Sequence, residues 1–142
     1  MPLIELTVPE GALPADGREH IQRTLAKTLL KWEGAPDTAF IRSISWSYLH
    51  EIPRGAVVNL EDDEPRFRVD ATVPAGALSE RRKAGLVEDV TAEVLKAAGL
   101  TEADSARVWV LIHEQPEGTW GGAGRIVKFA ELAAAAKQSQ EG

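Results

Sequence analysis

The chain has 142 residues, of which 44% are hydrophobic, a formal net charge of −6 and no cysteine. This length and composition suit one domain with its own core, and the lack of cysteine excludes a disulfide-stabilised scaffold. An acidic chain without a basic cluster is a poor partner for nucleic acid, and no stretch resembles a membrane span or a signal peptide. We therefore expect a cytoplasmic protein that binds neither nucleic acid nor membrane.

The first predicted element follows Pro2 directly. Residues Glu5 to Val8 alternate polar and apolar side chains, which predicts a strand with one buried face. If Met1 is removed, Pro2 carries a free secondary amine. Such an amine is a candidate general base near neutral pH, because α-amino groups titrate below lysine and burial disfavours the charged form. The alternative is that Pro2 only begins an edge strand, where its missing N–H is harmless.

An amphipathic helix and a second strand follow. Ile21, Leu25, Leu29 and Trp32 have the spacing of one helix face, and Phe40 to Leu49 has the composition of a strand. Because a helical crossover joins the two strands, we expect them to pair in parallel. The result is one predicted βαβ unit.

The second half of the chain repeats the first. The heptapeptide TVPEGAL at 7–13 recurs as TVPAGAL at 72–78, and HEIP at 50–53 recurs as HEQP at 113–116. We interpret residues 1–142 as a single domain of two βαβ units, at about 2–60 and 66–130. The predicted fold class is α+β, with a four-stranded sheet backed by two helices on one face. The other face then needs a partner, so we expect a homo-oligomer.

The carboxy-terminal part begins with Trp120-Gly121-Gly122-Ala123-Gly124 and continues with Arg125. Together with Pro2, the Glu10-Gly11 turn and Ala35-Pro36-x-Thr38, this stretch resembles the tautomerase superfamily. The glycine-rich segment is similar to the hairpin of 4-oxalocrotonate tautomerase. The length is similar to that of the fused two-unit members, such as malonate semialdehyde decarboxylase and cis-3-chloroacrylic acid dehalogenase.

The resemblance implies a trimer in which each pocket surrounds an amino-terminal proline and is completed by a neighbouring chain. It implies an enzyme without a cofactor that acts on a small molecule. Pro2 would be the catalytic residue, Trp120 an apolar wall beside it, and Arg125 a group that points into the pocket or lies on the surface. Trp120 could equally be only a packing anchor of the hairpin.

Departures from the family pattern concern its arginines. Where the family has an arginine after the first turn, this chain has Ala12, and the duplicated position is Ala77. Arg42 matches a second family arginine, on the strand after Thr38, only with a shift of one residue. There it would bind a substrate carboxylate and stabilise an enolate, or it is an exposed arginine without a ligand.

His50 and Tyr48 are candidates for further hydrogen bonds in the pocket, although a solvated strand end is an equally ordinary place for a histidine. A metal site is not expected, because neighbouring His and Glu residues on a strand point to opposite faces and no His-Glu-x-x-His motif is present.

The sequence therefore predicts a tautomerase in which Pro2 transfers a proton between the keto and enol forms of a small 2-oxo or unsaturated acid. Two alternatives stay open. One is a hydratase, dehalogenase or decarboxylase of the same superfamily, and the other is a non-catalytic trimeric binding or structural protein. The missing arginines at Ala12 and Ala77 weaken the dehalogenase and decarboxylase alternatives and favour the non-catalytic one.

Overall fold

The computed structural model describes the backbone of residues 2–141 and the side chains of residues 2–135 and 137. The state of Met1 lies outside the described residues. The elements in chain order are β1 (Leu3–Pro9), α1 (Arg18–Glu33), α2 (Ala39–Ser43), β2 (Trp46–Ile52), β3 (Phe67–Pro74), α3 (Glu80–Ala97), β4 (Val108–Gln115), β5 (Gly121–Gly122), β6 (Arg125–Ile126) and α4 (Phe129–Glu141). None of the described helices has a long enough apolar stretch to cross a membrane.

The main sheet has four strands in the order β2-β1-β3-β4. β1 pairs in parallel with β2, and β3 pairs in parallel with β4, while β1 and β3 run antiparallel in the middle. Each half of the chain therefore forms a strand, a crossover helix and a parallel strand. The prediction of a mixed four-stranded sheet backed by two helices is confirmed.

The hydrophobic core lies between one face of this sheet and the helices α1 and α3. The alternating residues of β1 and β3 point into it and are almost fully buried, as the period of two in their sequences requires. The helices contribute one apolar stripe each. The buried residues are Ile4, Leu6, Val8, Phe67, Val69, Ala71 and Val73 from the strands and Ile21, Leu25, Leu29, Leu86, Val90 and Val94 from the helices.

The two helices approach each other closely at Gly85 of α3. A Cβ atom built there would lie 2.2 Å from the ring of Trp32 on α1. The indole Nε1 of Trp32 donates a hydrogen bond of 2.8 Å to Asp89, which holds the ring in this position. Trp32, which the sequence places on the apolar stripe of α1, thus packs against the neighbouring helix.

The second predicted strand begins later than expected. Residues Ala39–Ser43, at the start of the predicted strand Phe40 to Leu49, form the short helix α2, and β2 begins at Trp46. The Thr38 hydroxyl accepts a hydrogen bond from the Ile41 amide, an N-cap that starts a helical turn. The prediction that Arg42 lies on a strand was therefore wrong.

In the described part of the chain, the sheet face away from α1 and α3 exposes large aromatic side chains. Trp46 is 57% exposed and Trp109 is 69% exposed, although both lie on strands of the sheet. Such a large exposed apolar surface is typical of an interface between subunits.

Candidate active site

A cavity of about 760 Å³ lies at the end of the sheet where β1 begins. Elements from both halves of the chain meet there, because β1 and β3 are antiparallel and the start of one lies beside the end of the other. The lining is mostly aromatic and aliphatic. It consists of Pro2, Leu3, Phe40, Ile44, Trp46, Tyr48, Thr72, Gln115, Thr119 to Ala123, Arg125, Val127, Glu131, Leu132 and Ala135.

Pro2 is buried in the wall of this cavity. Its carbonyl accepts a hydrogen bond of 3.2 Å from the backbone N–H of Trp46, which extends the pairing of β1 with β2 by one residue. The proline therefore has a fixed position relative to the strands. Leu3, Ile44 and Trp46 line the same cavity and provide apolar surface in it.

Three aromatic side chains of the lining, Trp46, Tyr48 and Trp120, take part in ring contacts. The rings of Trp46 and Tyr48 stack with their centroids 6.4 Å apart, because residues two apart on a strand share a face. The rings of Trp120 and Phe129 meet edge to face, also at 6.4 Å. The rings of Trp46, Tyr48 and Trp120 give the cavity extensive aromatic surface.

A two-stranded hairpin brings Arg125 to the cavity. Its turn residues Ala123 and Gly124 both have positive φ, at 55° and 78°, the geometry of the tight hairpin turns whose twist matches that of the strands. Gly122 pairs with Arg125 across the turn. In the described part of the chain, Arg125 has neither an ion-pair partner nor a side-chain hydrogen bond. It is therefore available to an anionic ligand.

Helix α4 covers the cavity from another side. Its first backbone N–H, on Phe129, donates hydrogen bonds of 3.2 and 3.4 Å to the two carboxylate oxygens of Glu117, which caps the helix. The helix also packs against α2. Through this arrangement α4 places Glu131, Leu132 and Ala135 in the cavity lining.

Four of the predicted site residues come together in this cavity, namely Pro2, Tyr48, Trp120 and Arg125. The other two predicted residues do not line it. Arg42 lies on α2, where its guanidinium donates a hydrogen bond of 2.5 Å to Asp37, and it faces a separate groove together with Arg23 and Lys27.

His50 lies on the sheet face away from α1 and α3, and its Nε2 is 2.9 Å from the Glu5 carboxylate. The equivalent histidine of the second unit, His113, is 2.7 Å from Asp70. The two His-Glu-x-Pro segments thus place their histidines in matching pairs with acidic residues outside the cavity. Among the described residues, no group of three His, Asp or Glu side chains is placed to hold a metal ion.

Sequence reasoning missed several lining residues. Trp46 shares a strand face with Tyr48, so period-two alternation was a signal for it. Gln115 is the variable position of the second His-Glu-x-Pro segment. The duplication of that segment could have indicated that Gln115 lies near the site. Nothing in the sequence pointed to Glu131, because its position depends on how α4 turns back over the sheet.

A buried carboxyl group lies outside the cavity lining, at the last residue of α1. Burial raises the pKa of Glu33 from 4.5 to about 7. Its Oε1 has no hydrogen-bond partner in the described part of the chain. A carboxyl group with this pKa changes its charge near neutral pH.

Comparison with known proteins finds a family that matches the second half of this chain. The family described as "Tautomerase enzyme" matches residues 68–130, which is most of the second βαβ unit and the hairpin. This part of the chain is therefore similar to the tautomerase family. No curated protein matches its sequence.

Several solved structures have the same fold as this chain. A structure of Pt0534 inactivated by 2-oxo-3-pentynoate superposes with a TM-score of 0.76 at 20% identity, over 91% of this chain and 98% of that one. A fused 4-OT described as a symmetric trimer gives 0.74 at 19% identity, again over 91% and 98%. The protein N1, of the cis-3-chloroacrylic acid dehalogenase family, gives 0.72 at 14% identity, over 98% and 99%. These identities are low, so the similarity establishes the fold.

Proposed function

We propose that this protein is a cofactor-independent tautomerase in which the amine of Pro2, freed by removal of Met1, transfers a proton between the keto and enol forms of a 2-oxo or unsaturated acid. The observation that carries the proposal is the position of Pro2, buried in the wall of a cavity that also contains an unpaired arginine, Arg125. The proposal assigns a role to each of the two groups.

The base is the secondary amine of Pro2. A general base works best when its pKa lies near the ambient pH, and burial among apolar groups disfavours the charged form of an amine. The walls formed by Trp46 and Trp120 provide such surroundings. The same nitrogen, once protonated, returns the proton to another carbon or oxygen of the same substrate molecule.

The substrate carboxylate binds to Arg125. A guanidinium can hold a carboxylate with two parallel hydrogen bonds, and this orients the carbon that loses the proton. The hydroxyl group of Tyr48 lines the same cavity and is a candidate donor to the oxygen on which negative charge develops. Arg42 and His50 have no role in the proposed reaction within this chain, because neither residue lines the cavity.

A homotrimer is part of the proposal. Three of the structures with this fold are fused 4-OT proteins described as trimers, and the sheet face of this chain away from α1 and α3 exposes Trp46 and Trp109. Because Trp46 belongs both to that face and to the cavity lining, a neighbouring chain that covers the face also borders the cavity. We therefore expect activity to depend on assembly.

Hydratase, dehalogenase or decarboxylase chemistry remains the second candidate, since N1 shares the fold. Such reactions would use the protonated proline as an acid beside a pair of cations. Arg125 is the one arginine that lines the cavity in the described part of the chain, which favours the tautomerase.

The proposal is tested by covalent labelling with 2-oxo-3-pentynoate, the compound with which Pt0534 was inactivated. We expect peptide mapping to find the label on the Pro2 nitrogen of the wild type and no label on Pro2→Ala. Arg125→Gln should slow labelling, whereas Arg81→Gln, a change to an exposed arginine of α3, should leave the rate unchanged. A label on another residue, or equal labelling of Pro2→Ala, would contradict the proposal.

A further inference from the structure

The cavity contains a second charged group in addition to Arg125. Glu131, in the first turn of α4, also lines the cavity, and its charge has the opposite sign to that of Arg125. In the described part of the chain neither Glu131 nor Arg125 has an ion-pair partner, so the two do not neutralise each other across the cavity. Both charges therefore face the space that a ligand occupies.

A ligand that spans the cavity meets both groups. Arg125 attracts a carboxylate, whereas the Glu131 carboxylate accepts hydrogen bonds and attracts positive charge. The remaining wall is largely aromatic and aliphatic, with Trp46, Trp120 and Leu132 among its members. The chemistry of the lining thus fits a molecule with an apolar middle and two different polar ends.

We propose that Glu131 is a specificity-determining residue, which selects substrates that carry an ammonium or another hydrogen-bond donor at the end opposite their carboxylate. This inference rests on the proposed function for its reaction and concerns the identity of the substrate. A dicarboxylate of the same length is discriminated against, because its second carboxylate would lie beside Glu131 without a cation.

Glu131 also has a purely structural reason to occupy its position. A carboxylate in the first turn of a helix interacts favourably with the helix dipole. That interaction affects the stability of α4 but not the choice between ligands that differ only at one end. Ligand selectivity is therefore the measurement that separates the two roles.

The test is a set of binding measurements on the full chain. Alkanoates, ω-amino alkanoates and dicarboxylates of matched length, from pentanoate to octanoate, are titrated while the quenching of tryptophan fluorescence is followed. At the best length we expect the amino acid to bind about three- to fivefold more tightly than the alkanoate, the range of a solvent-exposed ion pair. The dicarboxylate should bind more weakly than both.

Three variants make the result specific. In Glu131→Gln the preference for the amino acid should fall to about one, whereas Glu88→Gln, which removes an exposed charge from α3, should preserve it. Arg125→Gln should weaken all three ligands. An unchanged preference in Glu131→Gln, or the absence of any preference at every length, would overturn the inference.

The outcome is separable from that of the proposed reaction. Pro2→Ala replaces the secondary amine of the proposed base by a primary amine outside a ring, and it should leave the ligand preference intact, because Glu131 and Arg125 remain. If Pro2→Ala retains full turnover and the preference still depends on Glu131, the reaction mechanism is wrong and the selectivity inference stands.

Discussion

Substitution of Glu33 by glutamine should change how the stability of the fold depends on pH. Burial raises the pKa of this carboxyl group from 4.5 to about 7. A group whose pKa is higher in the folded state than in the unfolded state favours folding when it is protonated, and this contribution is lost as the pH rises. A rise of the carboxyl pKa from 4.5 in the unfolded state to about 7 in the folded state corresponds to about 3 kcal/mol of unfolding free energy.

The contribution of Glu33 is fully present below pH 4.5 and disappears as the pH rises through about 7. Glutamine resembles the protonated acid in shape and does not titrate. At pH 4.5 the wild type and Glu33→Gln should therefore have similar stability, whereas at about pH 8 the variant should be more stable by up to about 3 kcal/mol.

Urea denaturation at a series of pH values measures this difference. Glu88→Gln is the matched control, because Glu88 is exposed on α3 and its loss should shift the curve equally at all pH values. If the difference between wild type and Glu33→Gln stays constant from acid to about pH 8, the carboxyl group is not buried and the reasoning is refuted.

Two further substitutions test the packing and the hairpin. Gly85→Ala should lower the free energy of unfolding by about 1–3 kcal/mol, because overlap with the Trp32 ring outweighs the better helix propensity of alanine. Gly17→Ala is the control, since a Cβ at Gly17 meets open space. Equal effects of the two substitutions would contradict this packing. Ala123→Asn should raise the free energy of unfolding by about 0.5–1 kcal/mol, because asparagine tolerates the positive φ at this turn better than alanine does. Thermal denaturation measures both changes, and a destabilised Ala123→Asn would show that the turn does not have this conformation.

The fold was accessible from the sequence because its signals are local and occur twice. The alternation from Glu5 to Val8 and the helical spacing of Ile21, Leu25 and Leu29 each indicate one element, and the repeated TVPxGAL heptapeptide at 7–13 and 72–78 fixes the order of the second unit. The start of β2 was mispredicted because the Thr38 cap favours a helical turn over the strand composition of the residues that follow.

The site was accessible only in part. Pro2, Tyr48, Trp120 and Arg125 were expected in the cavity and line it. Arg42 was also expected there, but Asp37 holds it on α2. Which of two arginines reaches a cavity depends on the path of the hairpin after β4. Glu131 depends on the packing of α4 over α2, a contact between segments far apart in sequence that no local pattern specifies.

The catalytic role of Pro2 is tested by the turnover of enolisable 2-oxo acids by wild type and Pro2→Ala, after intact mass has shown that Met1 is removed from both. Loss of a general base typically lowers the rate about 10²- to 10⁴-fold, so we expect a fall of that size in kcat/KM. The proposed mechanism would be contradicted if Pro2→Ala retained the wild-type kcat/KM on every 2-oxo acid that the wild type turns over. Full activity of a protein that keeps Met1 would also contradict it.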